Sequence, residues 1–310
     1  MPGPTDHPRF GVLAFGDSIT NAGGEIQWGV ALQSWALWTA RGLGLPYTGY
    51  AVDGARVREV VAEQLPSFLT RTALPGARYD VGCLYIGVND VRSIDWDPIA
   101  FAGDYEAALR FLAARCDRVL TATAPLRLGL PPAGPKVHAL NAIVADTASR
   151  VGALVIDLRS FGARNHVMVD RVHPTAFGQI AIAERALAVL ASDGLPVRAA
   201  PASMIRYDPS RWARLRGDWA YVRREARQRP RAAIAARRLR RRLAAEGAEM
   251  AAAAQATQAT QATRAAQNRA ASGVGPSGEA PRRAEASSAA AASSASSSPA
   301  APSEKSRDER

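Results

Sequence analysis

The chain has 310 residues and an uneven charge distribution, 39 Lys and Arg against 28 Asp and Glu for a net +11. Residues 1–200 carry 18 of each sign, whereas between Arg206 and Arg242 there are 14 arginines against only Asp208, Asp218 and Glu225. Two cysteines in apolar surroundings, Cys83 and Cys116, exclude a disulfide framework or a cysteine-rich zinc site and read as core filler. No apolar stretch of about 18 residues spans a bilayer. Residues 1–10 lack the apolar region of a secretory leader, so the expectation is a soluble, cytoplasmic protein.

In chain order, strand and helix signals alternate through the first 195 residues. Residues 10–15 are a short apolar run that ends in turn chemistry at Gly16-Asp17-Ser18. Apolar Trp28, Leu32, Trp35 and Trp38 recur at helical spacing and predict a helix over 25–43, with Gly42 and Gly44 as stops. A strand follows over 47–52, then a helix over 57–65 that Pro66 breaks or kinks. Residues 80–87 form a third strand that is apolar after Asp80, as in a strand covered on both faces. A helix over 98–114, a strand over 118–122, a Pro/Gly-rich loop over 125–135, a helix over 137–151 and a strand over 154–157 come next. A helix over 175–190 closes the series, with Thr175 placed to cap it. Five strands separated by helices predict an α/β fold, a parallel sheet with helices on both sides.

The alternation stops after Pro201. A helix over 209–228, about 30 Å long at 1.5 Å per residue, would carry Trp212, Leu215, Trp219 and Val222 in one stripe. That stripe suits docking on the folded body, a partner or an anionic membrane surface, and the arginines of 206–242 suit nucleic acid as well. No base-reading motif accompanies the charge. Residues 250–310 hold few large apolar side chains and predict a disordered Ala/Ser/Gln/Thr-rich tail. The expected organisation is a folded body over 1–200, an Arg-rich helical extension over 201–249 and the tail over 250–310.

In an open parallel sheet the ligand site lies beyond the carboxyl ends of the strands. Ser18 leaves the first strand there, and a serine hydroxyl becomes a nucleophile once a base takes its proton. By itself, a strand-Gly-Asp-Ser turn favours reading Ser18 as a helix cap. His173, in Asp170-Arg-Val-His173, lies just before the closing helix, where Asp170 can orient the imidazole. His166, four residues before Asp170, competes for the same carboxylate, while His7 and His138 are poorly placed. Asn89, after the third strand, and the Gly54 backbone N–H, after the second, can donate to a developing oxyanion. Asp90 reads as a residue that ties down the strand end. Trp35 reads as core, and Trp28 as a substrate contact. No glycine-rich nucleotide loop is present, so no cofactor is predicted.

Gly16-Asp17-Ser18, the glycine of Val52-Asp53-Gly54, Gly87-x-Asn89-Asp90 and Asp170-x-x-His173 resemble, in order and spacing, the blocks of the GDSL-type or SGNH serine hydrolases. The resemblance runs from about Phe10 to Ala191. It implies that the 1–200 body is a three-layer α/β/α domain of flavodoxin-like type that hydrolyses a small-molecule acyl ester without a metal, through an acyl-enzyme. Carried over by position, Ser18 is the nucleophile, His173 the general base and Asp170 its orienting acid. Ser18 N–H, Gly54 N–H and the Asn89 side chain would form the oxyanion hole. Ile19 stands where the family name places leucine, and the Gly54 block has no asparagine.

Overall fold

The computed structural model describes residues 10–71, 76–163 and 165–207, scattered positions within 210–234, and residues 263 and 267. The chain divides into two compact units, Met1–Ala244 and Ala245–Arg310. Of the second, only Thr263 and Gln267 are described, both helical, so most of the predicted tail lies outside the described residues.

Five strands, β1 (Val12–Gly16), β2 (Tyr47–Gly49), β3 (Tyr79–Tyr85), β4 (Cys116–Ala122) and β5 (Leu154–Ile156), form one sheet in the order β2-β1-β3-β4-β5. Every pairing is parallel. This is the flavodoxin-like strand order, in which the chain leaves β1 on one side and β3 on the other. The crevice between those two strand ends is therefore where a ligand fits. β1 and β3 are buried at every residue, because helices cover both faces, and their sequences, apolar except for Asp80, follow from that.

Helices α1 (Trp35–Leu43) and α7 (Ala176–Ser192) pack together on one face. The segment made of α2 (Val57–Glu59), a π-helical turn (Val60–Gln64) and α3 (Leu65–Arg71) joins α5 (Pro98–Ala113) and α6 (Lys136–Val151) on the other. There Phe15, Tyr50, Phe68, Tyr79 and Phe111 pack as edge-to-face and offset rings, 5.7–6.1 Å between centroids. Cys83 and Cys116 are buried free thiols. Burial raises both, Cys116 to about 12, which leaves them inert.

Three elements differ from the sequence expectation. The helix predicted over 25–43 begins ten residues later. Trp28 and Gly29 take left-handed backbone conformations, with φ of 49° and 79°, which a helix cannot carry. The N-cap is Ser34, whose Oγ accepts the Ala36 N–H at 3.1 Å. The residues before it instead form a loop pinned to the start of α7, with Ala176 N–H donating to the Glu25 carbonyl at 3.0 Å. The helical segment does not end at Pro66 but runs on to Arg71. The proline has no N–H for the Ala62 carbonyl, and the ladder absorbs this by widening to a π turn in which Leu65 N–H bonds to the Val60 carbonyl. Finally, Asn89 and Asp90 sit in a short helix, α4 (Val88–Arg92), an element that the sequence pattern does not announce.

The loop after β1 is held by buried amides. Gln179, fully buried on α7, accepts the Trp35 N–H at 2.8 Å and donates to the Ile19 carbonyl at 2.9 Å. Gln64, on the π turn, brackets the Gly16 peptide, donating to its carbonyl at 2.8 Å and accepting its N–H at 3.1 Å. Gln179→Ala strands several buried backbone groups at about 1–3 kcal/mol each. Urea unfolding of this variant should show a loss of about 2–4 kcal/mol, and a loss below about 0.5 kcal/mol would contradict this role for the amide.

Candidate active site

Ser18 sits where β1 gives way to a single helical turn, closed by Asn21 N–H to the Asp17 carbonyl at 2.9 Å and Gly23 N–H to the Ser18 carbonyl at 2.5 Å. The turn is capped by Asp17, whose Oδ1 accepts the Ile19 N–H at 2.9 Å. The reading of Ser18 as a cap is thereby set aside, because Asp17 takes that task and leaves the serine hydroxyl to another partner. Gly16 has to be glycine. Its φ is 149°, and a Cβ there would lie 2.5 Å from the Tyr85 carbonyl oxygen.

The partner of Ser18 is His173. Ser18 Oγ lies 2.9 Å from His173 Nε2, across 155 residues of sequence. His173 Nδ1 lies 2.7 Å from Asp170 Oδ2. The other carboxylate oxygen, Oδ1, accepts the Val172 and His173 N–H groups at 2.9 and 3.1 Å. The carboxylate is therefore fixed before the imidazole docks on it. His166 does not compete, because its ring stacks on Phe161 with centroids 5.7 Å apart.

The electrostatics follow from these contacts. The Asp170 hydrogen bond raises the His173 pKa above the ordinary 6.5, against an opposing effect of burial. Burial would raise Asp170, but its bonds to His173 and to the Val172 N–H outweigh that and hold it below the usual carboxylate range. Asp17, completely enclosed, is pushed up to about 7 by burial, which outweighs the help of the Ile19 N–H and of His173. Asp17 Oδ2 has no partner among the described residues. Because the folded state holds that proton more tightly than the unfolded chain does, Asp17 lowers stability progressively as pH rises from about 4 to about 7.

Asn89 is tied to the loop that carries Gly54. Asn89 Nδ2 donates to the Ala55 carbonyl at 3.0 Å, which spends one amide hydrogen and orients the other. Gly54 has φ of 78°, which favours glycine, and the space where a Cβ would stand is open. Asp53, just before it, accepts from Asn21 Nδ2 at 2.9 Å and so ties this loop to the serine loop. No carbonyl among the described residues takes the Ser18 or Gly54 N–H. Asp90 braces α4 against α2, since its carboxylate accepts the Val57 N–H at 3.2–3.3 Å, and burial lifts its pKa to about 6. Beside Gly54 lies a cavity of about 280 Å³ lined by charged side chains, among them Asp53, Arg56, Arg58, Glu59 and Glu63.

Trp35 is fully buried. Trp28 is half-buried and packs on Phe177 and Tyr207, with centroids 5.0 and 6.1 Å away. Sequence reasoning missed Gln64, Gln179 and the capping role of Asp17. An Asp directly before a turn serine is a readable cap signal, but nothing in the sequence marks the two glutamines.

The sequence profile of the GDSL-like lipase/acylhydrolase family matches residues 14–180, more than half of the chain. The chain belongs to that family. As a GDSL-like hydrolase it is a carboxylic ester hydrolase. Solved structures similar to it include LAE5, an α/β hydrolase enzyme from the metagenome of Lake Arreo. That protein is 20% identical, with 60% of this chain and 96% of that chain covered and a TM-score of 0.47. The acetylxylan esterase Axe2 from Geobacillus stearothermophilus is 18% identical, with 59% and 95% covered and a TM-score of 0.47. A member of the lipolytic G-D-S-L family from Veillonella parvula is 22% identical, with 58% and 98% covered and a TM-score of 0.48. No curated protein matches the chain.

Only neutral His173 can take a proton from Ser18. Ester hydrolysis should therefore rise with pH through a midpoint above 6.5, the direction in which Asp170 shifts the imidazole. In Asp170→Asn the midpoint should fall, and the plateau rate should drop by about 10⁴-fold. A pH–rate profile whose midpoint stays in place or moves upward in the variant would contradict this pairing.

Proposed function

We propose that this GDSL-like hydrolase cleaves small or medium acyl esters through an acyl-enzyme on Ser18. The observation that carries the reading is the unbroken chain of short contacts, 2.9 Å from Ser18 to His173 and 2.7 Å from His173 to Asp170. Ser18 Oγ attacks the ester carbonyl carbon while its proton passes to His173 Nε2. Asp170 stabilises the imidazolium and stays ionised, so the proton remains on His173, as expected beside a carboxylate held below its usual pKa. The carbonyl oxygen becomes an oxyanion and takes hydrogen bonds from the Ser18 and Gly54 N–H groups and from Asn89 Nδ2. Each such donor is worth about 10²–10³ in rate.

His173 then gives its proton to the departing alkoxide, and the alcohol leaves Ser18 acylated. Water enters, His173 takes one of its protons, and the hydroxyl oxygen attacks the acyl carbon. Collapse of the second tetrahedral intermediate returns the proton to Ser18 Oγ and releases the carboxylic acid. No step calls on a metal or an organic cofactor.

Hydrolysis of a chromogenic ester series from acetyl to palmitoyl tests this reading. Wild type should be fastest on the short chains, Ser18→Ala should lose about 10⁴-fold or more, and Asn89→Ala about 10²–10³-fold. Undiminished turnover in folded Ser18→Ala would rule the mechanism out.

A further inference from the structure

The catalytic reading leaves the Arg-rich extension unused. After a 3-10 turn at Pro201–Met204, Ile205 packs on the core and Tyr207 on Trp28 and Phe177. Among residues 210–234 the described positions from Arg211 onward are helical. Trp212, Leu215, Trp219 and Val222 are 75%, 58%, 64% and 42% exposed. At 3.6 residues per turn these four fall within an arc of about 80°, a single apolar face. Described residues Arg211, on one side of that arc, and Arg216 and Arg223, on the other, are also exposed.

We propose that this face is a docking surface for an anionic lipid bilayer, with the helix lying in the headgroup plane. The apolar face has the composition such helices use, indoles and aliphatics on one side and arginines along the flanks whose stems reach up to the phosphates. Charge complementarity selects the partner. The segment from Arg206 to Arg242 carries 14 arginines against three acids, while residues 1–200 are balanced at 18 of each sign. The folded body therefore offers the extension no net charge, and a second copy of the extension repels it. Nucleic acid would satisfy the arginines but leave two tryptophans, a leucine and a valine in water, because its interfaces are predominantly polar. An anionic membrane takes both faces at once.

The full-length chain should co-sediment with phosphatidylcholine vesicles that contain phosphatidylglycerol. It should bind vesicles of phosphatidylcholine alone at least about tenfold more weakly, and added salt should weaken the binding. Tryptophan emission should shift to the blue on binding. The Trp212→Ala/Trp219→Ala variant should lose about tenfold in affinity for the anionic vesicles and lose most of the blue shift. Its hydrolysis of a soluble short ester should be unchanged, since neither residue belongs to the Ser18 machinery. That ester control separates failure of the surface from failure of the catalytic reading. Any of three results would overturn the proposal: no co-sedimentation with anionic vesicles, undiminished vesicle binding by the double variant, or lipid-free dimerisation that the double variant abolishes. Tight binding of duplex DNA or RNA that survives the double substitution, with no vesicle binding, would assign the charge to nucleic acid instead.

Discussion

The buried side chain of Gln179 is the contact on which the rest of the site depends. Ser18 and His173 arise 155 residues apart, one after the first strand and the other before the last helix. A 2.9 Å contact between them requires the loop leaving β1 to be fixed against the start of α7. Gln179 does this by bonding at once to the Ile19 carbonyl on the serine loop and to the Trp35 N–H at the head of α1. The bridge between Glu25 and Thr175 repeats the connection a few residues away. Without these ties the two loops would be independent surface segments. The geometry would then have to be assembled at each turnover, at an entropic cost a preorganised site avoids.

The opposite wall of the crevice is organised by the same economy of buried polar groups. Gln64 holds the Gly16 peptide, Asp90 holds the start of α2, and Asn89 is held in turn by the Ala55 carbonyl. The π turn matters here because Pro66 forces it, and Gln64, its last residue, meets the end of β1. A local irregularity in one helix thus positions the strand end two residues before Ser18. Asp17 adds a penalty that the fold tolerates, a carboxyl whose burial keeps it protonated up to about pH 7 while it caps the serine turn.

Much of this was legible in the sequence. The alternating strand and helix signals pointed to the parallel five-stranded sheet, because the central strands are predominantly apolar and flanked by turn residues. Thr175 was readable as a cap, and its Oγ1 accepts the Gly178 N–H at 3.1 Å. The short blocks included Ser18, His173 and Asp170, which the structure joins by contacts of 2.9 and 2.7 Å. The helix over 25–43 was misread because Trp28 and Leu32 happen to fall at helical spacing, while the left-handed backbone of Trp28 and Gly29 leaves no periodic trace. The helical segment runs on past Pro66 because a π turn accommodates the missing N–H. Gln64 and Gln179 were invisible, since a buried glutamine is recognised only by the distant backbone it satisfies.

The central claim is that Ser18 is the residue made nucleophilic by this arrangement. It is tested most directly by treating the full-length chain with a fluorophosphonate and locating the adduct by peptide mass spectrometry. The account predicts one covalent adduct, on Ser18, with labelling suppressed in His173→Ala because the base that activates the hydroxyl is gone. An adduct on another serine, or equal labelling of Ser18 in the His173→Ala protein, would contradict it.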